Sequence, residues 1–222
     1  MLRLLHASTH DLVPEPLEHN LDADPPWVAI ECLPGTPLAG ALTPAQLDAL
    51  EVALRKLWSV PADRVPARRH SYTEGLDIVR LWFASAARPD GIAGAAFDAT
   101  VEFLKHAVAP VPGTPVVGHS DPNLANYLWD GQTVRIVDFE DAGRSDVELE
   151  LATMVQHLSG RGNDWEPFIA RFDLRPEPFL FGRKVMAGLW IYFLLPGNGA
   201  SKRNPPGTLD WYAGETLKLY GR

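Results

Sequence analysis

His119-Ser120-Asp121-Pro122-Asn123-Leu124-Ala125-Asn126 is followed, after a short interval, by Ile136-Val137-Asp138-Phe139-Glu140. Between the two, Tyr127-Leu128-Trp129 and Val134-Arg135-Ile136-Val137 flank Asp130-Gly131, a dipeptide that favours a tight hairpin turn, here lengthened by Gln132-Thr133. Two strands joined in this way fold back on each other. Asn126 at the entry and Asp138 at the exit are therefore expected side by side, with Asp121 on the same rim just ahead of the first strand.

The residue types give that corner a chemistry. An amide oxygen and a carboxylate are hard donors that suit Mg²⁺, an ion that takes few protein ligands and completes its shell with phosphate oxygens. A second carboxylate nearby can orient a hydroxyl and accept its proton, which is what phosphoryl transfer to an alcohol requires. On this reading Asp121 is the catalytic base and Asn126 and Asp138 are metal ligands. Glu140 either adds a metal contact or supports one. His119 belongs to the catalytic loop and is read as bonding backbone near Asp138 rather than as a proton carrier. The bland alternative for Asp121 is a turn aspartate that caps the segment after it, and the loop pattern taken alone can arise by chance.

The run from Gly118 to Asn126, followed by Asp138-Phe139-Glu140-Asp141-Ala142-Gly143-Arg144-Ser145-Asp146, resembles the aminoglycoside phosphotransferase and choline kinase group of protein-kinase-like small-molecule kinases. Ser120 stands where that group usually carries glycine, and Glu150-Leu151-Ala152 where it usually carries Asp-Leu-Ala. Upstream, Trp27-Val28-Ala29-Ile30-Glu31-Cys32-Leu33-Pro34-Gly35 is similar to the group's last N-lobe strand and adenine hinge. The resemblance implies an α+β, protein-kinase-like fold: a mostly helical C-lobe over residues 39–222 with a short catalytic β-hairpin, and a remnant N-lobe and hinge over residues 1–38. It implies ATP and Mg²⁺ as cofactors, backbone groups of Glu31, Cys32 and Leu33 at the adenine, and a small alcohol or amino sugar as phosphoryl acceptor.

The group's glycine-rich loop and strand lysine are not found ahead of the hinge, and Lys56 is the first lysine of the chain. The chain is thus expected to begin near where the phosphate-binding half of the N-lobe would end, whether by truncation or as a naturally reduced form, and its turnover is expected to be weak. Two rival readings follow. A pseudokinase-like module would keep a nucleotide or small-molecule pocket without catalysis. A Mg²⁺-dependent phosphohydrolase would need no adenine hinge.

Composition sets outer bounds. The 222 residues, 46% hydrophobic and 22% charged, are those of an ordinary globular chain. A net charge of −8 argues against nucleic acid as a partner and mildly favours a cationic, amine-bearing substrate. The single cysteine, Cys32, excludes an internal disulfide and fits a reducing cytoplasm. No signal peptide is visible, and the apolar run Val185–Leu195 is too short to span a bilayer, so no membrane partner is expected. An oligomer stays open, since an exposed strand edge can pair.

Helical spacing predicts a helix from a Thr43 cap to Trp58, one over about 73–87 with Leu76, Val79, Leu81, Trp82 and Phe83 inward, and one over about 94–109. Further helices are expected from Asp146 to about Leu158, over about 165–172 and 177–195, and around 208–220. Glu148 and Glu150 are read as helix-surface residues, residues 61–70 as a solvated basic connector, and residues 196–207 as a long loop able to act as a lid. Trp82, Trp165, Trp190, Trp211 and Tyr212 are read as core aromatics rather than a cage for a quaternary amine.

Overall fold

The computed structural model describes residues 1–68 and 71–222, so Arg69 and His70 of the basic connector lie outside the described residues. Contacts divide the chain into two compact units, Met1–Arg69 with Gly113–Asp173, and His70–Pro112 with Leu174–Arg222. The first unit opens with α1 (Leu2–Thr9), β1 (Pro16–Asn20), β2 (Trp27–Ile30), β3 (Thr36–Pro37) and α2 (Pro44–Trp58). The chain then supplies α3 (Tyr72–Ser85) and α4 (Gly91–His106) to the second unit. It returns with β4 (Val116–Gly118), β5 (Tyr127–Trp129), β6 (Val134–Ile136), β7 (Gly143–Ser145), α5 (Val147–Gln156) and α6 (Glu166–Ile169). Helices α7 (Pro176–Leu194), α8 (Gly199–Arg203) and α9 (Thr208–Leu219) complete the second unit.

In the first unit α2 starts where the sequence says it should. Thr43 accepts from the Gln46 amide at 3.3 Å, the Gln46 side chain accepts from the Thr43 amide at 2.9 Å, and Pro44 occupies the first turn. Its Leu50, Ala53, Leu54 and Leu57 are buried, and the helix packs against β4 and β6. The strands are antiparallel throughout: a β1–β2 hairpin, a three-stranded sheet in the order β3–β5–β6, and a β4–β7 pair. Leu5, Val13, Leu38, Val117, Leu124, Tyr127, Ile136 and Leu151 fill the core beneath them. The β1–β2 hairpin stays outside that core, with Leu17, Trp27, Val28 and Ile30 exposed.

The second unit is helical. α7 packs against α3, α4 and α9, and α4 lies along α9. The run Val185–Leu195 is core rather than membrane: Val185, Met186, Ala187, Leu189, Ile191 and Leu194 are buried, and among the described residues no helix is long and apolar enough to cross a membrane. Arg80 on α3 donates to the carbonyls of Leu104 and Ala107, so a cation answers the unpaired C-terminal carbonyls of α4.

Several sequence expectations are corrected. Leu81 lies on the solvent side, 69% exposed, because the α3 face that packs on α7 centres on Leu76, Val79 and Phe83, and α4 ends at His106, short of the expected 109. The helix expected over 165–172 shrinks to Glu166–Ile169, closed by turns at Ala170 and Phe172. Residues 196–207 are not structureless: α8 forms there, Ala200 is buried, and Asn198 ties back to the Tyr192 carbonyl at 2.6 Å. Among the five aromatics, Trp165 and Tyr212 are core, whereas Trp211 is 44% exposed.

The cap on α2 yields a stability test. Thr43→Ala removes one side of the reciprocal bond, and the expected loss is about 1 kcal/mol in urea unfolding with an unchanged slope.

Candidate active site

The site grows from the turn between β4 and β5. After Gly118 the chain enters a left-handed backbone at Ser120 (φ 72°), then a short 3-10 turn, Leu124–Asn126, that delivers Asn126 to the start of β5. The β5–β6 register pairs Tyr127 with Ile136 and Trp129 with Val134. One step beyond it, the Val137 amide donates to the Asn126 carbonyl at 2.9 Å. That bond sets Asp138 alongside Asn126. Asp138 itself has a left-handed backbone (φ 68°), which ends the strand and turns its exposed carboxylate out of the ladder.

Asp121 is half-buried, and protein atoms hold both of its oxygens. Oδ2 accepts from Asn126 Nδ2 at 3.0 Å, and Oδ1 accepts from the Asn123 amide at 3.3 Å. Asn126 Nδ2 also donates to the Asp121 carbonyl at 3.2 Å. Its nitrogen is committed in this way, and among the described residues no hydrogen bond is made to its side-chain oxygen; Asn126 is buried. His119 is fully buried; Nε2 donates to the Val137 carbonyl at 2.7 Å, and the ring stands edge-on to Phe139 at 4.9 Å. Its Nδ1 and the Ser120 hydroxyl are buried without a hydrogen-bond partner among the described residues. Glu140 is exposed, and among the described residues no hydrogen bond ties it to Asn126 or Asp138.

The expected hinge lies between β2 and β3. The Glu31 amide donates to the Glu15 carbonyl at 2.8 Å, and the Glu31 carboxylate accepts from the Glu15 amide at 3.1 Å. Cys32 is exposed and Leu33 buried. The segment then joins β3, which pairs with β5 through Thr36 and Trp129. The expected hinge segment thus leads from the β1–β2 hairpin into the three-stranded sheet that carries the Asn126–Asp138 corner.

As to metal, the donors at the corner are an amide oxygen and exposed carboxylates, the hard set that Mg²⁺ accepts. Among the described residues no group of three or more His, Cys, Asp and Glu side chains is placed to hold a metal. The corner therefore suits an ion that draws most of its ligands from phosphates and water, and does not suit a cage made of protein alone.

Beneath the loop lies an ion pair that the sequence reading placed elsewhere. Glu150, expected on a helix surface, is buried and paired with Arg68, expected in a solvated connector and also buried. Glu150 Oε2 accepts from the Ser120 amide at 3.2 Å, while Arg68 also reaches Thr153 Oγ1 at 3.3 Å and Ser145 Oγ at 3.4 Å. Glu148 is buried as well. The Gly118–Gly143 pair of β4 and β7 makes room for this arrangement. A Cβ on Gly118 would stand 2.3 Å from Glu150 Oε1, and one on Gly143 2.6 Å from the Arg68 Cα. At the start of α5, Asp146 accepts from the Leu149 amide at 2.8 Å as N-cap and from the Gly113 amide at 2.8 Å.

A second overlooked group is His157 at the end of α5, 3.8 Å from Asp121 Oδ1 through Nε2. Its neighbour Ser159 accepts from the Leu124 amide at 2.9 Å and so ties the catalytic turn to the residues after α5. No periodicity links His157 to Asp121. The one available signal was for Glu150, which occupies the acidic position ahead of Leu151-Ala152.

A sequence model described as the phosphotransferase enzyme family matches residues 2–189. The chain belongs to the phosphotransferase enzyme family. No curated protein matches it. Among solved structures, a choline/ethanolamine kinase family protein from Mesorhizobium loti is similar at 17% identity over 100% of this chain and 78% of that one, with a TM-score of 0.64. The GDP and kanamycin complex of APH(2")-IIia is similar at 17% identity over 100% of this chain and 78% of that one, with a TM-score of 0.64. Choline kinase LicA from Streptococcus pneumoniae is similar at 12% identity over 99% and 78%, with a TM-score of 0.63. Likeness at these identities establishes the fold, which is α+β, protein-kinase-like and mostly helical. Membership establishes the general class, a small-molecule phosphotransferase.

For this family member the pair under the loop gives a sharp stability prediction. Removing one partner leaves a buried charge unanswered, so Glu150→Ala is expected to cost about 3–5 kcal/mol in chemical denaturation. A pH effect comes from His157. Burial pushes its imidazole down to about 4 from an ordinary 6.5, and the Asp121 carboxylate opposes that shift. With the folded value depressed, the unfolded chain binds the proton first. The histidine's contribution is therefore complete above 6.5 and lost as the pH falls towards 4. Between pH 7 and about 4.5 the wild type should lose on the order of 2 kcal/mol more stability than His157→Gln, measured by urea unfolding of both proteins.

Proposed function

We propose that this chain is an ATP- and Mg²⁺-dependent phosphotransferase that acts on a hydroxyl of a small, amine-bearing molecule, in the manner of the aminoglycoside phosphotransferases. The observation that carries the reading is the Asp121–Asn126 bond at 3.0 Å beside the Asn126–Val137 backbone bond. One carboxylate is held at the loop, and the backbone bond brings the chain at Asn126, the hairpin entry, beside the chain at Asp138, its exit. The kanamycin complex of a protein with this fold and the net charge of −8 both favour an amine-bearing acceptor.

In this mechanism Asp121 accepts the proton of the acceptor hydroxyl as the hydroxyl oxygen bonds to the γ-phosphorus and the bond to the ADP oxygen breaks. Asn126 keeps the Asp121 carboxylate turned to the acceptor. Asn126 and Asp138, with Glu140 beside them, would hold Mg²⁺, which when bound offsets the negative charge of the phosphates. His119 fixes the Val137 carbonyl and with it the start of the Asp138 turn. Backbone groups of Glu31, Cys32 and Leu33 would receive adenine, so residues 1–38 serve as the nucleotide-facing part and residues 39–222 as the catalytic part. A reducing cytoplasm suits this chemistry and the exposed Cys32.

Two variants separate the roles. Asp138→Ala is expected to abolish magnesium-dependent ATP binding in calorimetric titration. Asp121→Asn should retain that binding and lower phosphoryl transfer by about 10²–10⁴-fold in an acceptor screen. In this 222-residue chain no lysine stands ahead of the expected hinge, and Lys56, the first in the sequence, lies on α2. Wild-type turnover is accordingly expected below the usual kinase range of about 1–100 s⁻¹. Binding that ignores Asp138, or an Asp121→Asn variant with full turnover, would sink the reading.

A further inference from the structure

Helix α5 ends at Gln156, and the next three residues, His157-Leu158-Ser159, return the chain to the underside of the catalytic turn. The backbone amide of Ser159 donates to His157 Nδ1 at 3.2 Å, and the Ser159 hydroxyl lies 2.7 Å from the same nitrogen. That hydroxyl already accepts from the Leu124 amide, so its own proton is available for Nδ1. A nitrogen that accepts is unprotonated. The ring proton of a neutral His157 is therefore on Nε2, the atom 3.8 Å from Asp121 Oδ1. This separation is just beyond hydrogen-bond length, and catalytic contacts of this kind commonly tighten only when substrate is bound.

We propose that His157 is a positioning residue for Asp121: Ser159 fixes its tautomer, and its Nε2–H is presented to Asp121 Oδ1. The proposal rests on the reading of Asp121 as the proton acceptor. The carboxylate has room for about four hydrogen bonds. Asn126 takes one on Oδ2 and the Asn123 amide takes one on Oδ1. A third, from His157, defines which lone pair is left for the acceptor hydroxyl. Burial keeps the ring neutral near pH 7, so it orients the carboxylate without the full positive charge that would weaken it as a base. Ser159 links this orientation to the backbone of the turn through Leu124. One hydroxyl thus sets both the loop position and the histidine tautomer.

The test uses the 222-residue protein labelled with ¹⁵N at histidine, with the His157 signals assigned by their loss in His157→Gln. The expected result at neutral pH is a neutral ring protonated on Nε2, whose Nε2 resonance moves in Asp121→Ala. A proton on Nδ1, or an Nε2 resonance indifferent to Asp121→Ala, overturns the proposal. The second arm measures Mg-ATP turnover with water as the acceptor. His157→Gln, whose amide can still donate to Asp121, should stay within about threefold of wild type. His157→Leu should fall about tenfold or more, at unchanged KM for ATP. An equal fall in both variants overturns the proposal. A wild type without ATP turnover counts against the phosphotransferase reading instead, and the ring-nitrogen signature then decides the place of His157 alone.

Discussion

The Glu150 carboxylate holds the Ser120 amide from below and is itself held by the Arg68 guanidinium. Everything at the site follows from where that amide sits, because Ser120 is the residue at which the chain turns out of β4 towards Asp121. A buried ion pair is seldom a source of net stability compared with apolar packing, since both ions give up their hydration. It does confer definition: Glu150 accepts in one direction from Arg68 and in another from the loop, and displacing either leaves a charge uncompensated in the interior. The pair of glycines facing each other across β4 and β7 belongs to the same constraint, for side chains there would occupy the space of the carboxylate and of the Arg68 backbone.

Two left-handed residues that are not glycine, Ser120 and Asp138, bracket the working groups. Such backbone costs on the order of 1 kcal/mol or more for each residue and persists where the surroundings impose it. At Ser120 the surroundings are the Glu150 acceptor and a hydroxyl enclosed without a partner. At Asp138 they are the β5–β6 ladder behind and the His119 ring bound to the Val137 carbonyl. In both places the strain lies next to a carboxylate that has to leave the regular ladder to face a ligand. The hairpin supplies the rigidity and the two distorted residues supply the aim.

What could be read in the sequence was local. The Asp130-Gly131 turn, the Thr43–Gln46 cap, the Asp146 cap and the placement of Asn126 beside Asp138 each depend on residues a few positions apart or on one hairpin register, and spacing reports such distances well. What stayed hidden joins residues far apart in the chain. Arg68 meets Glu150 across 82 positions, and His157 meets Asp121 across 36. The surface reading of Glu148 and Glu150 follows the usual habit of charged residues on short helices. α5 instead begins directly under the catalytic turn, where a carboxylate has an amide and a guanidinium to satisfy it. Leu81 failed in the opposite sense: an apolar residue at nearly the right spacing lies just off the α3 face that packs on α7.

These long-range ties share a design. Each of the three groups that fix the catalytic turn from outside reaches a different backbone amide: Glu150 takes that of Ser120, Ser159 that of Leu124, and Asp146 that of Gly113 ahead of β4. All three belong to α5 or to the residues flanking it. The helix thus acts as a rail along which the loop is fastened at its approach, its turn and its exit, and Asp121 lies between the second and third of these points. A carboxylate that must meet a hydroxyl within a few tenths of an ångström gains more from such a rail than from bonds within its own loop, because a loop that fastens only to itself can still move as a body. The internal Asp121–Asn126 bond sets the direction of the carboxylate, and the ties to α5 set its position.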